Sequence, residues 1–338
     1  MQKKINCIGC GAKKQNTNVN EVGYIKDLTM DYCYDCFQLK NYGKANAHYH
    51  PSNYFPIKEN SFVFVIQSIM QLDLLFDQPI SRIQPNAKYT YLINQVDLLP
   101  KDTNLDYLLT NIVKLANKNK VKYEDIILMS ALNKNDILNL KDYILNLKEE
   151  DIYLFGYQNS GKSTIIKSLT NNKTILNLNK AGLTQEVITE KLEDKNIYDM
   201  PGTFVNGYLA EFFEYELYRK MLPKKQIKPK IYQLKNTQKL VINDFIEISF
   251  TGSSNLNIVL YLNDFNKITK YNINNPNNYL NDQFEYITRN FKTFSKQKSQ
   301  ITVADLMFIQ IDKEVTIKIK APKSMHITIM ESLLKWQK

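Results

Sequence analysis

No stretch of this 338-residue chain approaches the ~18 to 20 consecutive apolar residues that a membrane-spanning helix needs. Its opening, MQKKINCIGC, has no apolar core of the kind a signal peptide carries. Membrane and secreted classes are set aside, and the expected location is the cytoplasm. Cysteine is absent after residue 36, and in a reducing compartment disulfides are the weaker reading even for the few thiols present. Acidic residues are missing from RKMLPKKQIKPK, residues 219–230, which carries Arg219, Lys220, Lys224, Lys225, Lys228 and Lys230. Against these absences stand 43% apolar and 23% charged residues, enough to bury a sizeable globular interior. The length suggests two or three domains.

The formal net charge is +10, but it is spread unevenly. Residues 1–218 hold 24 Lys+Arg against 25 Asp+Glu, whereas residues 219–338 hold 20 against 9, a net of +11. A basic segment of that size is the footprint of a phosphate-backbone binder. Read alone, the run at 219–230 could also be a solvated linker.

All four cysteines form two C-x-x-C pairs, Cys7/Cys10 and Cys33/Cys36. Two such knuckles present four thiolates in a tetrahedron, the donor set of zinc, and leave no open position for catalysis. A structural zinc ion is therefore expected, stabilising a module too small to fold on its own core. His48 and His50 follow shortly after and read as surface residues rather than ligands.

Apolar runs alternate with helix-period stretches through the middle of the chain. SFVFVIQSI (61–69), KYTYLINQVDLLP (88–100), DIILMSA (125–131), DIYLFGY and NIYDMPGT read as strands. DYLLTNIVKLANKN, NDILNLKDYILNLK and the residues from Lys162 read as helices, and LTQEVITEKLE leans toward strand. Such alternation implies an α/β, mostly parallel sheet with helices on both faces.

Three strand tips carry chemistry. LFGYQNSGKST (154–164) contains the phosphate-cradling pattern, with Gly156, Asn159, Ser160, Gly161, Lys162, Ser163 and Thr164. Its glycines let backbone N–H groups converge on a β-phosphate, Lys162 reaches β/γ oxygens, and Ser163 binds Mg²⁺. In YDMPG, Asp199 would hold Mg²⁺ through water, and the Gly202 N–H could meet a γ-phosphate. In NQVD (94–97), Asn94 and Asp97 are spaced as in the guanine-recognising N-K-x-D element, with Gln95 at the Lys position. Ser130 and Ala131, at the tip of the next strand, suit the companion element that touches the base oxygen through backbone N–H. Base recognition thus precedes phosphate recognition in the chain, as though a GTPase sheet had been cut and rejoined by circular permutation.

Taken with CIGCG…CYDCFQLKNYG and the strand-rich KLVINDFIEISF and ADLMFIQIDKEVTIKIKAPKSMHITI, these motifs resemble the YqeH-type circularly permuted GTPases over nearly the whole chain. The resemblance implies a zinc-ribbon-like module (1–48), a permuted P-loop GTPase domain (49–218) and a basic β-rich domain (219–338) related to the RNA-binding Trp attenuator fold. It further implies GTP and GDP as ligands with Mg²⁺ and Zn²⁺. The function it implies is assembly of the small ribosomal subunit, with ribosomal RNA and precursor particles as partners and no membrane.

The chain departs from the family pattern at several places. With Gln95 for Lys, the stem covering the base is shorter and uncharged, so weaker binding is expected, and a Lys there should add ~1 kcal/mol. The switch residue that senses γ-phosphate and Mg²⁺ falls to Thr184 within KAGLTQE, where Ala181 and Leu183 replace family residues. Position 203 is Thr where a water-orienting Gln is usual. Asn159 matches an Asn that in related GTPases helps bind K⁺, though a loop-capping role reads equally well. Hydrolysis is expected to be slow without the ribosomal partner. The alternative is a nucleotide-gated RNA-binding module with negligible turnover; an ATPase is a weaker reading, opposed by Asp97.

Overall fold

In a computed structural model, the protein is described at residues 14–17, 19, 23–27, 29–30, 32–34, 37, 57–76, 84–170, 188–200, 202–203, 205–252, 255–275 and 279–335. Cys33 lies within that set and is buried. Cys7, Cys10, Cys36, His48, His50, Ala181, Leu183 and Thr184 lie outside it. The chain divides into two compact units: Met1–Asp97, Val113–Val205 and Ala210–Glu216 form the first, and Leu98–Ile112, Asn206–Leu209 and Leu217–Lys338 the second.

The first unit is built on β1 (Phe62–Ser68), β2 (Lys88–Asn94), β3 (Asp125–Leu128), β4 (Asp151–Gly156), β5 (Ile188–Leu192) and β6 (Lys195–Asp199). They form one sheet in the order β3-β2-β1-β4-β6-β5. The pairs β2–β3, β1–β2, β1–β4 and β4–β6 are parallel. β5 alone runs antiparallel, against β6. The sequence FVFVIQS shows why β1 sits centrally: all seven residues are buried, the signature of a strand covered on both faces.

Helices α1 (Leu105–Lys118), α2 (Lys134–Leu145) and α3 (Lys162–Thr170) follow β2, β3 and β4 in the chain. Asn133 starts α2 by accepting the Asn135 N–H at 2.9 Å. Ile137, Leu140 and Ile144 of α2 and Ile165, Ile166 and Leu169 of α3 pack on Phe62, Phe64, Ile152, Leu154 and Ile197 of the sheet. Burying each such side chain is worth roughly 1.5–3 kcal/mol. Because five of the six strands are parallel, Ser68, Asn94, Gly156 and Asp199 are all delivered to the same, carboxyl-terminal edge.

The second unit contains β7 (Lys230–Leu234), β8 (Gln238–Ile242), β9 (Ile246–Thr251), β10 (Leu256–Leu262), β11 (Ile268–Asn272), β12 (Tyr286–Lys292), β13 (Ser299–Val303), β14 (Met307–Ile311), β15 (Thr316–Pro322) and β16 (Ile327–Glu331). They form two five-stranded sheets, β16-β13-β14-β10-β7 and β11-β8-β9-β15-β12, whose pairings are antiparallel. This unit also takes in two short segments from earlier in the chain. The Ile227 N–H donates to Leu98 O (2.8 Å), and the Gln226 side-chain amide to Leu99 O (3.1 Å).

The other segment is Asn206–Leu209, held more tightly. Gly207 has φ +79°, and a Cβ there would lie 2.1 Å from Ser324 O, so only glycine fits. The His326 N–H donates to Gly207 O (3.0 Å), and the buried Asp305 carboxylate accepts the Leu209 N–H (2.9 Å). Among the described residues no helix is long and apolar enough to cross a membrane.

Candidate functional site

Asn94 ends β2 with its side chain fully buried. Its Nδ2 donates to Ser160 O (2.9 Å), and its Oδ1 accepts the Ala131 N–H (2.9 Å). One side chain thus ties the NQVD turn to the glycine-rich loop and to the turn after β3. Close approach makes this possible: a Cβ on Gly161 would lie 2.2 Å from Asn94 Nδ2, and Gly161 has φ +90°. Glycine is required there on both counts.

The neighbouring contacts extend the brace. Gln95, itself at φ +67°, donates through Nε2 to Asn159 O (3.1 Å) and accepts the Ser68 hydroxyl at Oε1. Asn159 is also left-handed, at φ +63°, a conformation asparagine tolerates better than other non-glycine residues. Gln95 therefore holds the loop by a neutral amide clamp, with Ser68 fixing which way the amide faces. This changes the expectation that loss of Lys simply weakens the element, because a donor to the loop carbonyl is retained. Ser68 carries no motif, and sequence reasoning missed it.

Asp97 lies in the 3₁₀ turn Val96–Leu98, exposed, with no hydrogen-bond or ion-pair partner among the described residues. Its carboxylate is open to donors from outside. In the next turn the Ser130 N–H donates to Asp136 Oδ2 (2.8 Å) and the Ala131 N–H to Asn94 Oδ1 (2.9 Å). The Ala131 N–H thus supports Asn94, and the Ser130 N–H ties the turn to the first turn of α2.

Gly156 closes β4, and Ser163 and Thr164 lie in the first turn of α3 just after Lys162. Lys162 and Asp199 are both buried. Burial pushes the Lys162 ammonium's pKa down, opposed by the Asp199 carboxylate; burial pushes Asp199 up, opposed by Lys162. Each is the other's counter-charge in a dry setting, an arrangement suited to exchange for a ligand that brings charges of both signs. The buried Asp199 Oδ1 has no hydrogen-bond partner among the described residues, so the acceptor needed for a hydrated Mg²⁺ is present.

The strand tip after Asp199 folds back on the loop. The Gln158 N–H donates to Thr203 O (3.1 Å) and the Thr203 N–H to Gly156 O (3.0 Å), a short parallel bridge. The structure thus gathers Asn94, Gln95, Asn159, Ser160, Gly161, Lys162, Asp199 and Gly202 at one edge. Thr184 and three of the four cysteines fall outside the described residues.

Residues 151–286 match the family model described as 50S ribosome-binding GTPase. The match begins at β4, so Asn94, which ends β2, and Ser130, in the turn after β3, lie before it. The chain is also similar to a protein of Bacillus subtilis (strain 168) described as "Uncharacterized protein YqeH", 24% identical over 98% of this chain and 100% of that protein. Together these bear out the resemblance to the YqeH-type GTPases, and the GTPase match supports GTP or GDP with Mg²⁺ as ligands.

If Asn94 is the brace, Asn94→Ala should leave the Ser160 carbonyl and Ala131 N–H unpaired and cost ~1–3 kcal/mol of stability. GTP and GDP affinity should fall by the same factor, since the lost contact touches neither base nor γ-phosphate. Urea unfolding with nucleotide titration would measure both; unchanged stability, or loss confined to GTP, would remove the assignment.

Proposed function

We propose that the protein is a circularly permuted GTPase that binds guanine nucleotides through Asp97 and the 156–163 loop and acts on ribosomal particles through its basic β-rich unit. The observation that carries this reading is Asn94, which joins a base-side turn to the phosphate loop although the base-side strand precedes the loop in the chain. Two further facts support the permutation. The sheet order is that of an intact parallel nucleotide-binding sheet, and the family match starts at the phosphate-loop strand rather than earlier.

In this reading the loop amides and the α3 amino terminus cradle the β-phosphate, and Lys162 neutralises β/γ oxygens. Ser163, Thr184 and Asp199 would hold Mg²⁺, whose chemistry is to neutralise charge on the transferring phosphoryl group. The Gly202 N–H meets the γ-phosphate, and Asn159 is the residue available to K⁺. Asp97 selects guanine, because its carboxylate accepts from the two donors on that base and finds none so placed on adenine. Isothermal titration should show GTP and GDP bound well above ATP, with the preference lost in Asp97→Asn. Gln95→Lys should shift affinity by less than ~1 kcal/mol, since the existing amide already clamps the loop. Equal affinity for ATP and GTP would refute the base assignment.

Cys7, Cys10, Cys33 and Cys36 are read as a closed, structural zinc site. Metal analysis should find one zinc per chain, and Cys33→Ser should lose it and lower the melting temperature. A metal-free protein with an unchanged melting curve would sink this part of the reading.

The RNA reading rests on charge. Lys224, Lys225 and Lys228 are exposed and have no ion-pair partner among the described residues, whereas Lys230 pairs with Asp264 (3.2 Å). Each cation that neutralises a backbone phosphate releases counterions, so affinity should fall steeply with salt. The small-subunit assignment comes from the resemblance, while the matched family is described by the 50S particle. Binding should therefore be compared on ribosomal RNA, small subunits and large subunits. Replacing Lys224, Lys225 and Lys228 by Gln should reduce the salt slope by about 3 and leave GTP affinity unchanged. Identical slopes would remove this segment from the RNA site, and preference for the large subunit would overturn the small-subunit assignment.

A further inference from the structure

Residue 158 sits in the phosphate loop between Gly156 and Lys162, and its surroundings are unusually restrictive. Its N–H is held by Thr203 O (3.1 Å), and its carbonyl accepts the Gln71 side-chain amide (3.2 Å). Gln71 is buried, and its backbone carbonyl accepts Gln67 Nε2 at 2.6 Å. The Gln71 amide thus holds the backbone at 158, and the Gln67 amide holds the backbone at Gln71.

The stem of the Gln158 side chain lies beside Gly202. The place a Cβ would take on Gly202 lies 3.5 Å from Gln158 Cγ and 3.3 Å from Lys162 Nζ. Lys162 and Gly202 are the two groups that the proposed function assigns to the γ-phosphate, so Gln158 packs where they converge. Position 203, meanwhile, offers only a threonine hydroxyl, with no carboxamide.

We propose that Gln158 orients the water that attacks the γ-phosphate, supplying from the phosphate loop the carboxamide that position 203 lacks. This rests on GTP hydrolysis at the site proposed above. The amide can accept a hydrogen from water at Oε1 and donate to a γ-phosphoryl oxygen at Nε2. The water oxygen forms the new bond to phosphorus, and the bond to the β–γ bridging oxygen breaks. GDP leaves with that electron pair, and the water's proton passes to the phosphate product. Gln158 ends as it began, so its contribution is orientation, the kind of effect that a rigidly held group supplies.

The test uses the full chain in potassium, with Gln158→Ala and the near-isosteric Gln158→Glu. Single-turnover hydrolysis should fall roughly ten- to a hundred-fold in both, while GDP affinity and melting temperature stay at wild-type values. GDP binding in the presence of aluminium fluoride, a mimic of the phosphoryl group in transfer, should weaken by a similar factor and requires no turnover. An unchanged rate overturns the proposal, and so does a faster Gln158→Ala, which would mean that the side chain only crowds the site. A wild-type protein that binds GDP but neither turns over GTP nor takes up aluminium fluoride also overturns it, leaving the nucleotide-gated alternative. A wild-type protein that binds no guanine nucleotide fails the proposed function itself.

Discussion

The site depends on a single buried amide. The NH₂ and carbonyl of the Asn94 amide each bond a backbone group of a turn that follows a different strand, Ser160 and Ala131. An amide buried without partners would be a liability of a few kcal/mol; bonded on both sides, it fixes the separation between the turn bearing Asp97 and the loop bearing Lys162. A nucleotide that spans a base site and a phosphate site needs that separation to be constant. Gln95 and Ser68 repeat the device one residue on, and the left-handed backbone at Gln95 and Asn159 is the local strain that so many convergent bonds can hold in place.

The same economy governs the charged half of the site. Lys162 and Asp199 are buried together, and desolvation drives each toward its neutral form while the other resists. Such a pair adds little net stability, because the cost of removing two charges from water offsets their attraction. Its value lies in what it is ready to accept. A phosphate–magnesium ligand carries both signs, so each protein charge can trade its neighbour for a ligand partner without an intermediate in which one buried charge stands alone.

Much of this was legible in the residues. FVFVIQS and DIYLFG announce buried strands, and GYQNSGKS fixes the loop and the start of α3 with little ambiguity, since few other folds need two glycines, a lysine and a serine at that spacing. The antiparallel direction of β5 was not legible, because strand composition carries no information about direction; pairing with β6 decides it. The partners that the Ser130 and Ala131 N–H groups take were not legible for a related reason. The pattern names the residues, but only the fold shows that both N–H groups are already taken. The use of Gln71 in pinning residue 158 is a long-range fact, made between positions 87 residues apart. Inclusion of Leu98–Ile112 and Asn206–Leu209 in the second unit is likewise a matter of packing, which the local sequence of those segments does not encode.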